Sequence, residues 1–215
     1  MKKINTYIAI GIGTFFLFVL LMILLNVDKN NITGSGLVGL SHFNNIVKYE
    51  YKENLDKMSD ILLYLSFIPV VFAGILGIIQ LVKRKSLFKV DKELLVFGIA
   101  LILTVILWLL FDKALKINVR PLNPNEGSFP STHVLITIFF SLSCFNLLKR
   151  YNTGSKVFNY IALGIAIVIS IIVVITRVAS GMHYITDVIG GIFLGLSFYF
   201  LTFGIIDLIK INNKQ

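Results

Sequence analysis

Six long apolar stretches dominate the chain: Tyr7–Val27, Ile61–Val82, Leu94–Phe111, Val134–Leu148, Phe158–Ile175 and Val188–Ile209. A helix needs about 20 mostly apolar residues to cross the hydrocarbon core of a bilayer, so each stretch predicts a membrane-spanning helix. The fourth is short and has to borrow residues at its ends or lie tilted. With 56% apolar residues in a chain of 215 and a mean hydropathy of +0.86, an ordinary soluble domain is excluded. Six spans leave no room for a second folded unit. The expectation is one all-α domain, residues 1–215, built as an integral membrane six-helix bundle.

Met1-Lys2-Lys3 ahead of the first stretch has the outline of a signal peptide. The apolar run is too long for one, and no small-x-small cleavage site follows at Val27-Asp28-Lys29-Asn30, so the first helix is read as retained. The lone cysteine, Cys144, falls inside the fourth span and reads as a packing residue.

Charge sets the orientation. Placing the N-terminus in the cytoplasm puts twelve of the 20 Lys and Arg residues on the inner side, including the cluster Lys83-Arg84-Lys85. That satisfies the positive-inside bias and puts both termini in the cytoplasm. The net charge of +9 then reads as topology plus contact with anionic lipids at the cytoplasmic face, not as nucleic-acid binding. The outer loops are Asp28–Asp60, Asp112–His133 and Arg177–Asp187. In the first, Asn30–Gly39 predicts coil. From Ser41 onward, Phe43, Ile46, Tyr51, Leu55 and Met58 fall near helical spacing, predicting an amphipathic helix on the outer leaflet; a solvated connector is the alternative.

The outer loops also hold three polar islands. In the third, His183 and Asp187 are four residues apart, so on a helix they share a face and the carboxylate takes the proton on one imidazole nitrogen. The other nitrogen is left nucleophilic. Arg177 supplies a guanidinium that matches the oxygen fork of a phosphate. In the first island, Lys113 and Arg120 flank a polar turn stopped by Pro121; Lys116, between them, is not assigned a role. In the second, Ser131 is placed to cap a helix whose first N–H groups, at Thr132 and His133, then form an anion site. His133 is a candidate proton donor to a leaving oxygen. Each feature alone has a plainer reading: a snorkelling cation, a helix cap, a helix-end His–Asp pair. Their ordered convergence on one membrane face is what points to phosphoryl transfer through histidine, without metal or other cofactor.

The spacing Lys113-x6-Arg120-Pro121, then Pro130-Ser131-Thr132-His133, then Thr176-Arg177-x5-His183-x3-Asp187 resembles the type 2 phosphatidic acid phosphatase family, relatives of the vanadium haloperoxidases. The resemblance covers about half the chain. It implies a six-helix bundle that hydrolyses a lipid phosphate or diphosphate without metal, with His183 as nucleophile, His133 as acid and Asp187 supporting His183. Lys113, Arg120, Ser131, Thr132 and Arg177 would hold the phosphate. Thr132 stands where the family has Gly and Thr176 where it has Ser; a Thr at 132 predicts helical rather than left-handed backbone. The expected location is a bacterial plasma membrane with the site extracytoplasmic, and the first substrate expectation is undecaprenyl diphosphate. Phosphatidylglycerophosphate or phosphatidate is the runner-up. Lipid-linked phosphotransfer and a small anion transporter are the rival classes. Oligomeric state is left open.

Overall fold

The computed structural model describes residues 2–32, 36–47, 50–151 and 155–212. Among these, eight α-helices follow in order: α1 (Lys2–Val27), α2 (Ser41–Asn44), α3 (Glu53–Ser66), α4 (Ile68–Arg84), α5 (Lys92–Leu109), α6 (Thr132–Arg150), α7 (Lys156–Ala179) and α8 (Ile185–Asn212). Two short antiparallel pairs of strands lie in the connections, β1 (Lys29–Ile32) with β2 (Gly36–Gly39), and β3 (Val119–Arg120) with β4 (Asn123–Gly127). Six helical segments are long and apolar enough to cross a membrane: 4–27, 53–84, 92–114, 132–150, 156–179 and 185–210. The chain is a multi-pass helical membrane protein.

α6 and α8 are the most enclosed of the six spans. α8 packs against α1 and α6, and α6 against α7. The outer ring presents Ile, Leu, Val and Phe side chains, among them Phe16, Ile78, Ile102 and Ile175, which are more than half exposed without lipid around them. That is the pattern of helices solvated by acyl chains. In the end of the bundle nearer the strand pairs, Phe18 stacks on Phe129 at 5.6 Å and meets Phe111 edge-on at 5.8 Å. This aromatic wedge anchors the residues that lead into α6. At the other end, Phe97, Phe139, Tyr199 and Phe203 form the second core cluster.

Several boundaries differ from the sequence reading. The fourth span does borrow from its ends: α6 runs 19 residues, about 28 Å at 1.5 Å per residue. The second span begins at Glu53 and not at Ile61, and is broken at Phe67, where α3 ends and α4 starts with Pro69 in its first turn. The predicted surface helix from Ser41 is only the four-residue α2; Leu55 and Met58 belong to α3, the polar start of a span. Helical spacing is present there, but it marks the end of a crossing helix. The coil expected at Asn30–Gly39 contains strand residues of β1 and β2; its positions 33–35 lie outside the described residues. No backbone strain arises at the family-variant position, because Thr132 is the first residue of α6 and helical, as expected.

Candidate active site

The centre of the site is the junction of α6, α7 and α8. α8 approaches α6 closely because glycines line the contact. A Cβ on Gly191 would lie 2.6 Å from the Ser131 carbonyl oxygen, and one on Gly195 2.9 Å from that of Leu135. Small residues let two backbones meet in this way. The approach permits the Ser131 N–H to donate to the Asp187 carbonyl at 2.8 Å, tying the start of α6 to the first turn of α8. The α7–α8 link turns at Gly181, whose φ of +77° suits glycine. A side chain there would also strike the Glu50 backbone.

His183 and Asp187 are not on one helix. α8 starts at Ile185, so His183 sits in the preceding bend, with its N–H donating to the Arg177 carbonyl at 3.2 Å. Nδ1 of His183 and Oδ2 of Asp187 are 3.8 Å apart, too far for a hydrogen bond. The hydroxyl of Ser128 lies between them, 3.1 Å from His183 Nδ1 and hydrogen-bonded to Asp187 Oδ2. Asp187 is fully buried. It also accepts from Asn118 Nδ2 at 2.8 Å and from the Tyr184 N–H at 3.0 Å. The expected direct pair is thus a bridged one.

His183 is buried, and its Nε2 has no hydrogen-bond partner among the described residues. Burial is the chief force pushing its pKa down, to about 4; Asp187 pulls the other way, while Arg177 and Arg120 add to the depression. The ring is therefore neutral near pH 7, as a nitrogen nucleophile must be.

Around this ring the structure gathers most of the residues singled out by sequence. Arg177, 1% exposed, donates from Nη1 to Asp56 Oδ1 at 2.6 Å and to Ser59 Oγ at 3.1 Å; its Nε is buried without a partner among the described residues. Arg120 Nε lies 3.1 Å from Glu126 Oε2. Arg120 and Arg177 act electrostatically on His183, and Arg177 and His183 act on His133. His133, in the first turn of α6, holds Asp60 Oδ1 at 2.9 Å through Nε2. Ser131 occupies the cap position of α6, but its hydroxyl caps nothing and is buried unpaired among the described residues. The first-turn N–H groups of Thr132 and His133 have no acceptor within the helix. Lys113 stays outside the group: its side chain is 76% exposed and pairs with the neighbouring Asp112 at 2.7 Å. Lys116 bonds the Asn125 carbonyl at 2.8 Å, a structural contact.

Five site residues escape sequence reasoning: Ser128, Asn118, Asp56, Ser59 and Asp60. The last three form one polar stripe on α3, at spacings of three and four in a helix otherwise turning apolar. The spacing makes the stripe visible, but it reads equally well as the wet face of a surface helix. Asn118 and Ser128 lie within and beside the recognised islands, with no spacing rule to mark them.

One end of this multi-pass helical bundle thus carries two imidazoles, each with a carboxylate nearby, and two guanidiniums. Residues 108–209 match the PAP2 superfamily model. Phosphatidylglycerophosphatase B of Bacillus subtilis (strain 168) is 35% identical over 123 residues, 54% of this chain and 58% of that protein. The match thus spans less than two thirds of that relative's length. A crystal structure of a transmembrane PAP2-type phosphatidylglycerolphosphate phosphatase from Bacillus subtilis has the same fold. Its TM-score is 0.57 at 24% identity, over 93% of this chain and 96% of that one.

Proposed function

We propose that this chain is a single-domain lipid phosphomonoesterase that works through a phosphohistidine and takes a phosphatidylglycerophosphate-type substrate. The observation that carries the reading is the buried, neutral His183 ring, whose Nε2 has no protein partner among the described residues. Nε2 attacks phosphorus while Arg177, Arg120 and the first-turn N–H groups of α6 balance charge on the non-bridging oxygens. The bond from phosphorus to the lipid oxygen breaks, and that oxygen takes its proton from His133. Water then attacks the phosphohistidine, returning its proton to His133 and releasing phosphate from Nε2.

The headgroup assignment rests on the relative's name, phosphatidylglycerophosphatase B. It displaces undecaprenyl diphosphate, the first expectation from sequence, as the leading candidate. The Lys and Arg distribution supports an extracytoplasmic site with both termini inside. The opposite end of the bundle has a cavity of about 350 Å³ lined by Arg84, Lys89, Lys92 and Lys210 together with Asp91 and Glu93. Arg84 pairs with Asp91 at 2.8 Å and Lys210 lies 3.9 Å from Glu93, and the cationic excess suits anionic headgroups of the inner leaflet.

The test is phosphate release by the purified chain in detergent from phosphatidylglycerophosphate, phosphatidate and a prenyl diphosphate. The highest kcat/KM should belong to phosphatidylglycerophosphate. A preference for the prenyl diphosphate would reassign the substrate. Release from none of them, with the fold intact, would overturn the enzymatic reading and favour an anion-binding transporter.

A further inference from the structure

We infer that Ser128 is a positioning residue for the nucleophile: its hydroxyl relays the hold of Asp187 onto His183 and so fixes which ring nitrogen attacks. This role rests on the phosphatase reading above. Asp187 cannot reach His183 directly, since 3.8 Å separates Oδ2 from Nδ1. Its other oxygen, Oδ1, is taken by Asn118 Nδ2 at 2.8 Å. The route left is Oδ2 to Ser128 to Nδ1.

Proton counting then decides the tautomer. An ionised carboxylate is acceptor-only, and a hydroxyl has one proton to give. Ser128 donates that proton to Asp187, so it faces His183 with a lone pair. Nδ1 must carry the hydrogen that meets it, and Nε2 must carry the lone pair. Nε2 is the nitrogen without a protein partner among the described residues. All three side chains are at most 3% exposed, so bulk water does not compete for these bonds. During attack the proton stays on Nδ1. Positive charge gathered on the ring as Nε2 bonds phosphorus is stabilised by the Asp187 carboxylate through the Ser128 hydroxyl, and the ring returns to neutral when water breaks the phosphorus–nitrogen bond.

The aromatic wedge explains how a serine in a connecting loop holds such a position. Ser128 donates its N–H to the Asn118 carbonyl at 2.9 Å. The next residue, Phe129, is 1% exposed and stacked on Phe18. Backbone and neighbour are both fixed, so the hydroxyl has little freedom.

The experiment compares the wild-type chain, Ser128→Ala, Ser128→Cys, Asp187→Asn and the Ser128→Ala/Asp187→Asn double variant, using phosphatidylglycerophosphate in detergent. Ser128→Ala should lower kcat by about 10- to 100-fold, the loss seen when the hydrogen-bond partner that orients a metal-bound histidine is removed, with KM unchanged. Ser128→Cys, of similar shape but a weaker donor, should fall between. The double variant should be no slower than Asp187→Asn alone, because the relay is already broken. Vanadate binding, read as a rise in Tm, checks that each variant keeps the phosphate pocket. Wild-type kcat in Ser128→Ala, or losses that multiply in the double variant, would overturn the relay while leaving the phosphatase reading intact. Absence of wild-type turnover would instead strike the phosphatase reading.

Discussion

Neutralising Asp56 should weaken the fold and, at the same time, make the pocket greedier for phosphate. The Arg177 side chain is 1% exposed and its partner Asp56 16%, with 2.6 Å between them. Removing one member of a buried pair leaves an uncompensated charge and costs about 3–5 kcal/mol. Asp60 still acts on Arg177 and Asp56 retains some solvent, so Asp56→Asn belongs at the lower end, about 3 kcal/mol. For a chain of this size that corresponds to a fall in Tm of about 6–12 °C. An anion entering the pocket replaces the missing carboxylate, so vanadate should restore more Tm to the variant than it adds to wild type. The assay is thermal unfolding of purified protein across a vanadate titration. A variant with wild-type Tm, or with the same vanadate shift as wild type, would refute the claim that Arg177 is a buried cation waiting for an oxyanion.

Three further outcomes follow from the geometry. Lys113→Ala should reduce kcat/KM only a few-fold, against near-complete loss in Arg177→Ala, because the Lys113 side chain is exposed and occupied by Asp112; comparable losses in a kinetic assay would mean Lys113 turns inward. Gly191→Val should destabilise the protein and abolish turnover by pushing α6 off α8 at Ser131, whereas Gly98→Ala, where a Cβ meets nothing within 4 Å, should leave Tm near wild type. Folding stability should rise with pH between about 4 and 6.5, because the unfolded chain binds a proton at His183 that the folded chain excludes. The contribution is complete above the upper value and is lost as pH falls through the window. Unfolding of His183→Asn across the same range should show a flatter slope than wild type.

The spans are legible because a bilayer demands long apolar runs, and the positions of Arg177, His183, Asp187, Arg120 and His133 at one end follow from counting crossings. The path between crossings is not legible in the same way. Ser128 is one serine among many until the chain folds its hydroxyl between His183 and Asp187. Asp56 and Asp60 give a clear helical stripe, yet periodicity does not say whether a polar face looks at water, lipid headgroups or a buried arginine. Lys113 shows the converse: motif spacing puts it with the phosphate ligands, and local pairing with Asp112 holds it at the rim.

The mechanism stands on one covalent event, the bonding of His183 Nε2 to phosphorus. Rapid acid-free quenching of the purified protein with phosphatidylglycerophosphate labelled in its terminal phosphate tests it most directly. A label that is stable to alkali, labile to acid and mapped to His183, and that is lost in His183→Ala, is the outcome this chemistry requires. Turnover that persists in His183→Ala, or a label carried by any other residue, would contradict it.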